Sequence, residues 1–520
     1  MGLKINKAQF FQAGLNLVKR TTSISLIAEL VLTMRSHSSY SQSNPDTGIF
    51  ISLLLLIIWL PLPLGSNRPW AWAIMEVWIL SLFLFWLWKY FCGQVELTPV
   101  FLKAKWIVIA WMVWLSYLGL QCLPLPYAVV QQLSPKAAYF HTLGVIANTV
   151  GLTENSFPQR VTLSVDPHLT AVALLKSISY VLLFILILLL ITQRRRLQWI
   201  AYALVFSGLF QAIYGSLMTL SGLEYGFFQE KFTYRGFATG TFINRNHLAG
   251  YLVMCLSIGI GLLIAKLGHD YHATTWRQRL RSILAWLLSE TMRLRLYLGI
   301  MVIAVVLTRS RMGNIALFTS LLMAGLLGLM LLRHATRATV ILLVSLIVID
   351  LFIVGTWFGL DKVAQRLEQT QLLTESRDEV SHYTLIYWQD YFWTGSGLGS
   401  FYAVFPHYRG MDVSGFYDHA HNDYLEFASE TGLVGLILLG SIVLSSLGIA
   451  LIAQYRRRNR LCRGIAFSVV MAIIAILIHS SVDFNLQIPA NIATFVIILA
   501  LAWVAAFLPS SHFYSKLNSK

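Results

Sequence analysis

Ile178-Ser179-Tyr180-Val181-Leu182-Leu183-Phe184-Ile185-Leu186-Ile187-Leu188-Leu189-Leu190-Ile191 is the stretch that decides the fold class. Beyond Ser179 and Tyr180 it holds no polar side chain. It belongs to a run of the length a hydrocarbon core demands, ~20 apolar residues for a helix. In lipid such a segment must satisfy its own backbone donors and acceptors, which a helix does. Similar runs recur along the chain. Of its 520 residues 57% are hydrophobic and 12% charged, where an average soluble domain carries ~25% charged residues. The composition argues against a water-soluble fold and for an all-α polytopic membrane protein.

Setting each apolar run against its flanks gives about twelve spans, near residues 48–64, 70–91, 106–123, 169–192, 198–221, 247–267, 296–312, 314–332, 339–359, 432–453, 465–482 and 488–508. The transmembrane domain is thus 48–508. Residues 1–47 form a cytoplasmic N-terminal segment with amphipathic character, Phe10, Phe11, Leu15 and Leu17 lying near Lys7, Lys19 and Arg20. Residues 509–520 form a cytoplasmic tail. The apolar stretch Ile24 to Met34 is short, carries Glu29 and lacks a small-residue cleavage site, so the first span is expected to direct insertion.

The net charge is +16, and its distribution decides what it means. With the N-terminus inside, Lys103/Lys105, Arg194 to Arg196, Arg277/Arg279/Arg281/Arg293/Arg295, Arg333/Arg337 and Arg456 to Arg463 all fall on the cytoplasmic side. Basic loops resist translocation, so this orientation is favoured over its mirror image. The excess is a topology signal, and nucleic acid is not an expected partner. Cys92, Cys122, Cys255 and Cys462 sit singly, without CxxC spacing, which suggests neither a disulfide framework nor a zinc site.

Two outer loops are long enough to fold, 124–168 and 360–431. The second opens with an expected helix at Asp361 to Glu368. It continues with the capping-box pattern Ser376-Arg377-Asp378-Glu379 and a helix running to about Phe392. Gly395, Gly397 and Gly399 then break that helix. Aromatic, ionisable and amide groups concentrate at Phe416-Tyr417-Asp418-His419-Ala420-His421-Asn422-Asp423.

Arginines stand at outer span ends where the positive-inside rule discourages them: Arg235 and Arg245 between spans five and six, Arg309 and Arg311 closing span seven. A buried, unpaired arginine in a bilayer costs ~2.5–3.5 kcal/mol on insertion scales, so such residues face a cavity, a partner or a ligand. The rigid donor fork of a guanidinium suits phosphate oxygens. The plainer reading has Arg309 and Arg311 snorkelling or pairing with Asp418 or Glu426. His421, with an ordinary pKa of ~6.5, suits a general base for a hydroxyl. His419 and His421 without a clear third ligand are weak evidence for metal.

His421-Asn422, nine residues, then Gly432-Leu433-Val434-Gly435 fits the pattern H-[NSQ]-x9-G-x-x-[GTY] and resembles the O-antigen ligase and Wzy-type polymerase superfamily. Gly236-Phe237-Ala238-Thr239-Gly240-Thr241-Phe242-Ile243-Asn244-Arg245-Asn246-His247 resembles that family's segment entering a span, as does Ser310-Arg311-Met312-Gly313. The likeness covers residues 200–490, in family order. Arg245 stands where many relatives carry proline.

The resemblance implies a fold like that of the membrane-embedded C-type glycosyltransferases. It implies inverting transfer of a glycan from undecaprenyl pyrophosphate to an acceptor, without metal, nucleotide sugar or other cofactor. The acceptor would be lipid A-core in a ligase, a lipid-linked repeat in a polymerase, or a protein hydroxyl in an O-oligosaccharyltransferase. His421, Arg311 and Arg235 would be catalytic, with Arg309, Arg245, Asn244, His247, His419 and Asn422 binding substrate. His419 and Asn422 would orient His421. Membrane lipids and other polysaccharide assembly proteins complete the expected partners. The expected location is the bacterial inner membrane, both termini cytoplasmic and the site facing the periplasm. A lipid-linked glycan flippase or transporter is the alternative of another class, although no internal repeat supports it. A non-catalytic scaffold is a third.

Overall fold

The computed structural model describes residues 44–148, 159–227, 229–266, 289–331, 340, 344–345, 348, 377–413 and 415–509. Residues 1–47 and 48–520 are separate units. Of the first, the described part is a turn closed by the Thr47 amide and hydroxyl on the Asn44 carbonyl. The expected amphipathic segment lies outside the described residues.

Helix α1 (Thr47–Trp59) is apolar but short. It is followed by α2 (Pro69–Phe91), the short α3 (Pro99–Lys103) and α4 (Lys105–Cys122). Then come α5 (Tyr127–Leu133) and α6 (Pro135–Asn148), followed by α7 (Pro167–Leu190) and α8 (Arg194–Ser221). Next are α9 (Arg245–Lys266), α10 (Glu290–Leu307), α11 (Arg311–Leu331), α12 (Arg377–Asp390) and the single turn α13 (Phe401–Val404). The chain closes with α14 (Asp423–Arg456), α15 (Arg460–His479) and α16 (Pro489–Phe507). Strand is confined to two small antiparallel pairs, β1 (Leu125–Pro126) with β2 (Arg160–Val161) and β3 (Tyr225–Gly226) with β4 (Gln229–Glu230).

Among the described residues nine helices are long and apolar enough to cross a membrane: α2, α4, α7, α8, α9, α11, α14, α15 and α16. The chain is an all-α polytopic membrane protein. Two more expected spans fall on α1 and α10. Helix α10 has the length but carries Glu290, Arg293 and Arg295 in its first turns, so only the part beyond Arg295 is apolar. The expected span 339–359 lies mostly outside the described residues, as do the expected helix 361–368 and Ser376 of the capping box.

Helix α9 is the most buried of the long helices, with α15 and α16 close behind, while α2, α4 and α14 are largely peripheral. Small residues let α9 be central. A Cβ on Gly261 would meet the Gly464 carbonyl oxygen of α15 at 2.2 Å, and one on Gly313 of α11 would meet Ala249 Cβ at 2.6 Å. Close backbone approach through small residues is how membrane helices gain packing without a hydrophobic drive between them.

The long connection between α4 and α7 and the stretch carrying α12 and α13 build one cap. Val130, Ala138, Val161 and Leu163 from the first share a buried cluster with Val380, Tyr387, Phe401 and Phe405 from the second. Lys136 pairs with Asp390 at 3.1 Å across the join, and Phe140 meets His407 edge to face. Tyr117 and Gln121, near the C-terminal end of α4, reach the Thr394 carbonyl at 2.8 Å each.

Candidate active site

The segment after the cap is held by its glycines. Gly395, Gly397 and Gly399 have φ of 68°, 108° and 82°. A Cβ on Gly395 would strike the Glu430 backbone at 2.2 Å, and one on Gly397 the Ser164 hydroxyl at 2.2 Å. The expected break in the helix is thus also a docking of the loop onto α14. Helix α14 in turn starts at Asp423, nine residues before the expected span, and kinks at Gly432 (φ 64°, ψ −174°). Residues 423–431 of the expected loop are therefore a helical turn set off from the membrane-spanning part.

Asn422 closes the start of α14, its Oδ1 accepting from the Tyr424 and Leu425 amides at 3.0 and 3.1 Å. Its Nδ2 donates to the Ser481 carbonyl at 3.0 Å. This is an N-cap geometry, and it fixes where His421 leaves the chain. His421 itself is left-handed, φ 52°, a region in which histidine is enriched but which still costs ~1–3 kcal/mol and clusters at functional sites.

Phe484, in the connection between α15 and α16, gathers three histidines. The His419 ring stacks on it with centroids 4.4 Å apart, His247 meets it edge to face at 4.6 Å, and His421 likewise at 4.8 Å. Tyr417 meets His421 at 5.8 Å. Residues 247, 419, 421 and 484 come from three separate parts of the sequence.

The histidines differ in their carboxylate partners. His419 Nδ1 lies 2.7 Å from Glu426 Oε1, and Glu426 Oε2 accepts from the Ala420 amide at 2.8 Å. Burial alone would lower the His419 pKa. The Glu426 carboxylate, by charge and hydrogen bond, outweighs it and raises the value to about 9. Glu426 is therefore committed to His419, not to an arginine. His247 Nε2 lies 3.6 Å from Asp483 Oδ1. Burial would raise the Asp483 carboxyl, but His247, His479 and the Phe484 amide hold it well below the usual carboxylate range.

The arginines form a second group. The Arg245 guanidinium lies over the Phe237 ring at 4.2 Å from its centroid and the Arg309 guanidinium over the same ring at 5.4 Å. Arg309 is left-handed, φ 50°, and exposed. Arg311 opens α11 and is also exposed, with Ser310 Oγ accepting from the Gly313 amide at 3.2 Å. Arg245 opens α9, and Asn244 Oδ1 accepts from the Asn246 amide at 2.9 Å. Arg235 is placed differently. It donates to the Lys231 carbonyl at 2.9 Å and pairs with Glu230 at 2.7 Å in an exposed ion pair on the β3–β4 hairpin.

The first turn of α9 joins the two groups, since it carries Arg245 towards Phe237 and His247 towards Phe484. Helices α9, α11 and α14 pack in sequence, α9 on α11 and α11 on α14, and amides in their first turns are taken up by Asn244, Ser310 and Asn422.

Phe484, Asp483 and Phe237 were not singled out from the sequence as site residues. The available signal for the first two was a short connection, Ser481 to Gln487, that carries a carboxylate and two amides between two apolar spans. Phe237 sat within a quoted segment, but nothing in its residue type marks a ring that holds cations. Among the described residues no three His, Cys, Asp or Glu side chains gather as a metal ion would require.

The model of the O-antigen ligase family matches residues 296–440, from α10 into α14. This supports the resemblance read from His421-Asn422 and Ser310 to Gly313, both of which fall inside the match. Arg235, Asn244, Arg245 and His247 lie before it. No curated protein matches the chain.

Proposed function

We propose that this membrane protein, whose residues 296–440 are of O-antigen ligase type, moves a glycan from undecaprenyl pyrophosphate to a glycan or lipid A-core acceptor at the outer face of the bacterial inner membrane. The observation that carries the reading is the first turn of α9, whose Arg245 shares the Phe237 ring with Arg309 and whose His247 shares Phe484 with His419 and His421. One group suits a departing pyrophosphate and the other an entering hydroxyl.

In this reading the acceptor oxygen attacks the anomeric carbon, its proton passes to His421, and the carbon–oxygen bond to pyrophosphate breaks with its electron pair leaving on the phosphate. Attack opposite the leaving group inverts the anomeric centre. Arg245, Arg309 and Arg311 stabilise the charge that develops on the phosphate oxygens, the kind of contribution that often dominates catalysis. His419 is ill suited as the base, because a pKa of about 9 keeps it protonated at neutral pH against Glu426. His421 takes that role, and His419 acts as a fixed cation. Arg235, held apart by Glu230, is not assigned a part in this step. The basic stretches Arg194 to Arg196 and Arg456 to Arg463 face the cytoplasm, which puts the cap in the periplasm.

The test uses purified protein in nanodiscs with lipid-linked glycan and, in parallel, lipid A-core, a second lipid-linked glycan, or a protein acceptor. General-base loss in His421→Ala is expected to slow transfer by about 10²- to 10⁴-fold, and Arg311→Ala is expected to slow it as well. Near-normal transfer by both folded variants sinks the assignment. Movement of the lipid-linked glycan across the bilayer without new glycosidic bonds would identify a flippase instead.

A further inference from the structure

We propose that Phe237 is a positioning residue whose ring gathers the Arg245 and Arg309 guanidiniums into a preassembled receptor for the lipid pyrophosphate. The proposal rests on reading those arginines as the pyrophosphate-holding group. Two guanidiniums brought together repel each other, and any group that offsets this repulsion lowers the cost that would otherwise fall on substrate binding. An aromatic ring does so through the negative potential of its face. Here one ring lies 4.2 Å from the Arg245 guanidinium carbon and 5.4 Å from that of Arg309. Tyr234 adds a second, more distant face to Arg245 at 5.7 Å.

The ring is anchored on both sides of its own residue. The Phe237 amide donates to the Tyr234 carbonyl at 3.3 Å, and the next amide, Ala238, donates to the Leu307 carbonyl at the end of α10 at 3.1 Å. The Phe237 carbonyl accepts from Lys231 Nζ at 2.9 Å, and that buried lysine is itself pinned by Glu224 at 2.7 Å. These bonds tie the ring to the β3–β4 hairpin and to the end of α10, two residues before Arg309. Arg245 comes from the start of α9. Phe237 thus fixes the relative position of cations from two helices, and the left-handed backbone of Arg309 is part of the same arrangement.

The experiment titrates the full-length protein in nanodiscs with undecaprenyl pyrophosphate and measures donor KM and kcat for the same variants. Phe237→Leu keeps an apolar side chain but removes the π face, Phe237→Trp keeps the face, and Phe232→Leu alters an exposed ring of the same loop. Phe237→Leu is expected to weaken lipid-pyrophosphate binding by about 5- to 30-fold and to raise donor KM in step, with Phe237→Trp within about threefold of wild type. Phe232→Leu is expected to bind as wild type. If Phe237→Trp is as weak as Phe237→Leu, the ring only packs, and the proposal is overturned. If Phe237→Leu binds normally while Arg245→Ala and Arg309→Ala do not, Phe237 has no positioning role and the arginine reading stands. If neither arginine variant weakens binding, the arginine reading itself fails.

Discussion

His419 and His421 are two residues apart and receive different chemistry from what surrounds them. His419 is drawn into an ion pair with the buried Glu426, whereas His421 is held between Phe484 and Tyr417 in a left-handed backbone. Because the folded pKa of His419 is raised from 6.5 to about 9, its pairing contributes stability that is fully present below the unfolded value and is lost as pH rises through about 9. The thermal midpoint of the purified protein should therefore fall between roughly pH 7 and 9.5, and Glu426→Gln should remove that step. A step that survives the substitution would assign it to another group. The family resemblance gave His421 the catalytic part and His419 an orienting one, yet the pairing of His419 with Glu426 could not be read from the sequence, since Glu426 there was as available to Arg309 or Arg311.

At the scale of elements, the kink at Gly432 separates a polar helical segment, residues 423–431, from an apolar membrane helix. Gly432 sits at φ 64° and ψ −174°, a region essentially reserved for glycine, and a Cβ there would meet the Trp393 carbonyl oxygen at 2.3 Å. Gly432→Ala should cost ~1–3 kcal/mol from backbone conformation alone, with more from displacing Trp393. Gly448→Ala, in the same helix with nothing within 4 Å of its Cβ, should be neutral or slightly stabilising. Thermal unfolding of the two variants side by side checks this, and equal stability would mean that the kink is not constrained. The motif glycine was visible in the sequence, and the expected span began at that same residue. What was not visible is that the helix continues upstream to Asp423, because a turn of Asp-Tyr-Leu-Glu-Phe carries no apolar run to betray it.

At the scale of the molecule, a helical bundle around α9 supports a cap made from two loops that are far apart in sequence. Phe405 is buried in that cap and stacks on Phe401 at 4.7 Å. Removing a buried Phe side chain typically costs ~3–5 kcal/mol. Phe405→Ala should therefore loosen 127–143 and 401–413 together in hydrogen exchange, while α9 and α15 keep their protection. Loosening of only one loop would show that the two do not share a core. The sequence by itself determined that the chain lives in a bilayer and roughly where it crosses, and it drew attention to a set of arginines and histidines at span ends. Those conclusions follow from local properties, since hydrocarbon accepts only long apolar helices and charge is expelled to span ends. Only the tertiary structure decided which of these side chains meet: three histidines on Phe484, two arginines on Phe237, and Arg235 apart with Glu230. Such pairings depend on how helices cross and on which small residues let them approach, information spread over contacts between distant segments and written in no single one of them.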